Sequence, residues 1–149
     1  MSRRSQKKLT TRPHESINPD KCFVRIYDSM MQSAAWKSLN ANQCMLYICM
    51  KHSRYKATDS ERRIINSMEC AEDLFFFNRA RWYTRATELK TGYCFRLYSN
   101  QKQFYRDRDK LIEVGLIETV EYRAPADNIH PKNLYKLSTK WKYYVPPEV

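Results

Sequence analysis

The sequence predicts an α+β fold, and two observations carry that reading. Residues 99–117, SNQKQFYRDRDKLIEVGLI, read as a short amphipathic helix with Ser99 as N-cap and Gly115 as its stop. After Gly115 the period changes from helical to alternating. Leu116, Ile117, Thr119, Val120 and Tyr122 form one strand candidate, and Leu134, Tyr135 and Leu137 form another across a polar, proline-containing connection. A polar-faced helix, a glycine and a small antiparallel hairpin are the second half of a winged helix-turn-helix, whose helix is the one offered to the major groove. The class expected is therefore a winged helix-turn-helix with a β-hairpin wing and a disordered basic N-terminal arm.

Taken in order, residues 1–20 are the arm: Arg3, Arg4, Lys7, Lys8 and Arg12 stand among almost no apolar residues. The domain proper is expected over 21–145, with 146–149 as a tail. Cys22–Tyr27, CFVRIY, reads as a strand. Asn40 followed by Gln43 is a capping box opening a helix through about Tyr55, with Leu46, Tyr47, Cys49 and Met50 inward and Trp36 packed beneath its cap. Residues 56–72 read as a loop or an insertion with a weak strand. Phe75–Phe77 is an aromatic strand candidate, and Asn78 caps a further helix with Trp82, Ala86 and Leu89 inward. Tyr93–Tyr98 then form the turn before the polar-faced helix. The basic, aromatic segment from Lys140 packs back across the domain.

Composition narrows the partner. The 149 residues carry 27 Lys and Arg against 16 Asp and Glu, a formal charge of +11, which suits a polyanion because each phosphate neutralised releases counterions. No apolar run approaches the roughly 20 residues needed to span a bilayer, and no signal core opens the chain, so a cytoplasmic protein with no membrane partner is expected. The five cysteines are odd in number and lack a Cys-x-x-Cys, which reads as buried free thiols. His14, His52 and His130 are scattered, so no metal and no cofactor is expected. With two glycines there is neither a phosphate loop nor a dinucleotide fingerprint. Asp107 and Asp109 alternate with Arg106, Arg108 and Lys110, which reads as salt-bridge support within a helix rather than a metal-dependent nuclease. No catalytic residue and no small-molecule substrate is therefore expected.

The candidate contacts are to duplex DNA. Asn100 and Gln103 have the donor–acceptor pairs that fit adenine, and Lys102 and Arg106 fit guanine or phosphate, with Lys110 on the same face. Arg123, Lys132 and Lys136 of the wing belong over the backbone or minor groove, and the arm residues Arg3, Arg4, Lys7, Lys8 and Arg12 along phosphates. Two alternatives stay open: a winged-helix surface that docks on or inhibits another protein, for which eleven tyrosines would serve as anchors, and RNA binding through the arm and exposed aromatics. A protein partner or a homodimer is likewise left open.

The stretches AAWKSLNANQCMLYICMKHSRY, FFFNRARW, FYRDRDKLIEVGLIETVE and NLYKLSTKW, spanning roughly residues 23–144, resemble small winged-helix proteins of plasmids, phages and integrative conjugative elements of Gram-positive bacteria. These are similar to the N-terminal domains of replication initiators. The resemblance is close over the run from Phe104 to Glu118. It implies a winged-helix fold and a role in replication initiation, mobilisation or transcriptional control.

Overall fold

The computed structural model describes residues 24–77, 98–122 and 134–147. Among them are five α-helices, α1 (Asp28–Met31), α2 (Ala34–Lys37), α3 (Ala41–Ser53), α4 (Asp59–Asn66) and α5 (Gln101–Glu113), and three short strands, β1 (Leu74–Phe76), β2 (Ile117–Thr119) and β3 (Leu134–Leu137). The molecule is mixed α+β, with one antiparallel sheet in the order β1-β3-β2.

Helix α3 begins where its capping box places it. The Asn40 side chain accepts from the Gln43 N–H, and the Gln43 side chain accepts from the Asn40 N–H, both at 2.9 Å. Leu46, Tyr47, Cys49 and Met50 are buried, and Trp36 meets the Tyr47 ring edge-on at 5.8 Å. The helix stops at Ser53 and continues as a 3-10 turn, Arg54–Lys56.

Three expectations are corrected here. Residues 24–27 form no strand; they run into α1, where the Tyr27 carbonyl accepts from the N–H groups of Met30 and Met31. Residues 56–72 are not a loop with a weak strand. They hold α4, opened by a second capping box in which Thr58 and Glu61 exchange bonds of 3.2 and 3.0 Å. Helix α5 is capped by Asn100, not Ser99: the Asn100 carboxamide oxygen accepts from the Gln103 N–H at 2.9 Å. The helix expected after Asn78, with Trp82, Ala86 and Leu89, lies outside the described residues, as does most of the Tyr93–Tyr98 turn.

The cross-strand register divides the sheet into two faces. Phe75 pairs with Tyr135, their rings stacked at 5.6 Å, and Ile117 pairs with Leu137. This face meets α3 and α5 through Leu46, Met50, Phe104 and Leu111 in the main core. Leu74, Phe76 and Leu134 point the other way and are covered by Ile65 of α4, with Ile64 and Met68 beside it. The sheet thus lies between two helical layers. Each large apolar side chain buried there contributes about 1.5–3 kcal/mol.

The end of α5 fixes the path into the hairpin. Gly115 takes φ +84° one residue past the C-cap Val114; its N–H donates to Ile112 O and the Leu116 N–H to Leu111 O, the two bonds of a Schellman ending. The segment after β3 returns to this corner, where the Trp141 N–H donates to Gly115 O at 3.0 Å and the indole is buried. Tyr143 of the same segment is exposed. Not every described thiol is buried: Cys49 is, Cys44 is half-buried, and Cys70 is exposed in a left-handed conformation.

Candidate nucleic-acid interface

Successive residues of an α-helix step by about 100°, so Lys102, Gln103, Arg106 and Lys110 fall within one stripe of that width. The opposite side carries the buried Phe104 and Leu111, with Ile112 packed against the core at its margin. Lys102, Gln103 and Arg106 are exposed, and among the described residues the side chain of neither Lys102 nor Arg106 enters an ion pair or hydrogen bond. Lys110 is half-buried and pairs with Glu113 at 3.3 Å. Asn100 stands at the head of the stripe, but its carboxamide oxygen is spent on the cap, so a two-point contact with adenine is closed to it.

Asp107, on the flank of the stripe, is only 5% exposed. It makes no salt bridge with Arg106, Arg108 or Lys110, which corrects the reading of this aspartate as surface ion-pair support. Its Oδ2 accepts from the Tyr98 hydroxyl at 2.6 Å and its Oδ1 from Gln43 Nε2 at 3.1 Å. Gln43 therefore uses both ends of its carboxamide, one on the α3 cap and one on α5. Burial, and then the bond to Asp107, push the Tyr98 hydroxyl well above the ordinary tyrosine range and keep it a donor. The Arg–Asp pairing expected here falls instead on Arg108 and Asp109, at 2.9 Å, with the Arg108 guanidinium 4.5 Å from the centre of the Tyr105 ring.

This network aligns the start of α3 with the first two turns of α5. Between them is a cleft of about 280 Å³ lined by Asn40, Asn42, Gln43, Gln103 and Arg106, with Tyr98 and Asp107. Asn42 and Gln43 were not among the expected contacts. Their signal was the capping box itself, which places both in the first turn of α3.

Lys136 is not brought to this face. Its neighbours across the sheet are Leu74 and Glu118, on the side covered by α4, because Tyr135 and Leu137 take the opposite face. Arg3, Arg4, Lys7, Lys8, Arg12, Arg123 and Lys132 lie outside the described residues. Among the described residues no three His, Cys, Asp or Glu side chains cluster as metal ligands would, and no helix is long and apolar enough to cross a membrane. No family model, no curated protein and no solved structure matches the chain.

Proposed function

We propose that the chain is a non-enzymatic, winged-helix protein that binds duplex DNA with α5 in the major groove. The observation that carries this reading is the exposed stripe of Lys102, Gln103 and Arg106, two cations without carboxylate partners among the described residues flanking a carboxamide. The helix bearing them is held at its head by the Asn100 cap and on its flank by the Asp107 network, so side chains that read bases start from a fixed frame. The formal charge of +11 supplies the long-range attraction to phosphate. The hairpin of β2 and β3 follows α5 as a wing does, and the arm from Arg3 to Arg12 and the connection holding Arg123 and Lys132 add phosphate contacts. The resemblance to proteins of mobile elements suggests a role in replication initiation, mobilisation or transcriptional control.

Selection of bound sequences from a random duplex pool, followed by titration of the winners, tests this. Gln103→Ala and Arg106→Ala each relax selectivity by about 1–3 kcal/mol at one base position while non-specific binding persists. Selectivity unchanged in both variants refutes the placement of α5.

A further inference from the structure

At the other end of α3 is a second cleft, about 420 Å³, in the size range of small-ligand sites. It lies some 13 residues along the helix from the Asn40 cap, about 20 Å at 1.5 Å per residue, and shares no residue with the α5 stripe. Arg25, Lys51 and Arg54 line it together with Tyr27, Tyr55 and one carboxylate, Asp73.

Cations at or just past the C-terminal end of a helix commonly serve its terminal carbonyls. Lys51 and Arg54 do not. Lys51 Nζ donates to the carbonyl of Arg25 and Arg54 Nη1 to the carbonyl of Glu72, each at 2.7 Å. These bonds lace three separate segments together and leave both charges without a carboxylate partner among the described residues. Arg54 Nε is buried and has no hydrogen-bond partner there, a cost a folded chain ordinarily avoids. Burial, followed by the charge of Arg54, holds the Lys51 ammonium below its ordinary value; the Tyr27 phenolic oxygen opposes this and Arg25 adds to it. Lys51 and Arg54 therefore bring to the cleft positive charge that no carboxylate among the described residues pairs with.

Its aromatic members are accessible. Tyr27 is 56% exposed and Tyr55 39% exposed, and their rings lie 5.9 Å from Lys51 Nζ and from the Arg54 guanidinium carbon, respectively. Cations beside exposed rings are what an unpaired nucleotide needs: phosphate on the charges, base on a ring. A duplex keeps its bases stacked inside and cannot use the rings.

We infer that the cleft of Arg25, Lys51, Arg54, Tyr27 and Tyr55 is a second nucleic-acid site, taking a single-stranded segment by phosphate contact and base stacking. It is independent of the duplex face on α5.

The test is fluorescence anisotropy of the full chain with a labelled eight-nucleotide oligothymidylate, and with oligouridylate to ask whether the sugar matters. Tyr55→Ala weakens binding by about tenfold through lost stacking. Arg54→Gln also weakens it and flattens the salt slope by roughly 0.7 for the lost phosphate contact. Asp73→Asn, which removes the carboxylate lining the cleft, tightens binding by about threefold; a gain cannot come from misfolding. Lys102→Ala with Arg106→Ala leaves the oligonucleotide affinity as it was, whatever happens to duplex binding. Melting by circular dichroism confirms that each variant folds. Equal affinity in the wild type and all three cleft variants overturns the inference, and so does thymidine monophosphate binding as tightly as the octamer.

Discussion

Replacing Asp107 by Ala separates two accounts of the same residue by magnitude. As an exposed member of an ion-pair ladder its loss would cost about 0–1 kcal/mol. In the structure its removal strands two buried donors, the Tyr98 hydroxyl at 2.6 Å and Gln43 Nε2 at 3.1 Å. Each donor left without a partner costs about 1–3 kcal/mol, so the total is about 2–6 kcal/mol. The lower half of that range is expected, since Tyr98 and Gln43 both line the cleft between α3 and α5, from which water can reach the stranded donors. Urea unfolding followed by circular dichroism reads this directly. With a slope of about 1–3 kcal/mol per molar for a domain of this size, a loss of about 3 kcal/mol lowers the midpoint by about 1–3 M. Tyr98→Phe removes one of the stranded donors, so the double variant recovers part of the loss and the cycle gives a coupling of about 1–3 kcal/mol. An Asp107→Ala cost below about 1 kcal/mol, or a coupling within about 0.5 kcal/mol of zero, refutes the buried network.

Gly115→Ala should cost about 2–4 kcal/mol, because a Cβ at φ +84° would stand 2.7 Å from the backbone of Lys140 and Trp141 and displace the bond from Trp141 N–H; a thermal melt within a degree of wild type contradicts this. Alkali should destabilise the fold: burial raises Cys49 from 9.0 to about 11 and Tyr47 from 10.0 to about 12, so the folded chain keeps protons the unfolded chain releases. That stability is complete below pH 9 and lost as pH climbs from 9 to 12, by up to about 3 kcal/mol per group; a urea midpoint constant over this range, or one that falls identically in Cys49→Ala, counts against it. Phe104→Ala, which empties a buried site against the Phe77 and Tyr98 rings, should cost about 3–5 kcal/mol, with DNA binding lost only in step with folding; native melting with binding abolished would mean that α5 is rotated.

What could be read from the sequence depended on how far apart the partners lie. The α3 capping box, the stop at Gly115 and the switch to alternating strands are local signals, and each appears where its residues stand. Helix α4 was equally local, in Thr58 with Glu61 and in Ile64, Ile65 and Met68 at helical spacing, but the surrounding charges hid it. Its apolar side makes sense only against Leu74, Phe76 and Leu134, a sheet face that exists once β1 has joined β3. Asp107 differs from its sequence reading for the same reason. Its neighbours in sequence are cations, yet its partner on α3, Gln43, is 64 residues away, and that partner turns a solvated charge into a buried acceptor. Strands of three and four residues carry too little periodicity to reveal that Lys136 faces α4 while Tyr135 faces α5. The second cleft is the extreme case: Arg25, Lys51, Arg54 and Asp73 form no motif in one dimension, and only the lacing of Lys51 and Arg54 to distant carbonyls brings them together. Most residues whose chemistry is set by their own helix were legible, the Asn100 cap and α4 being the exceptions, and those whose chemistry is set by another segment were not. The α5 stripe belongs to the first kind and the α3 cleft to the second, so a variant that shifts the α3 C-terminus should alter the cleft while leaving the stripe as it is.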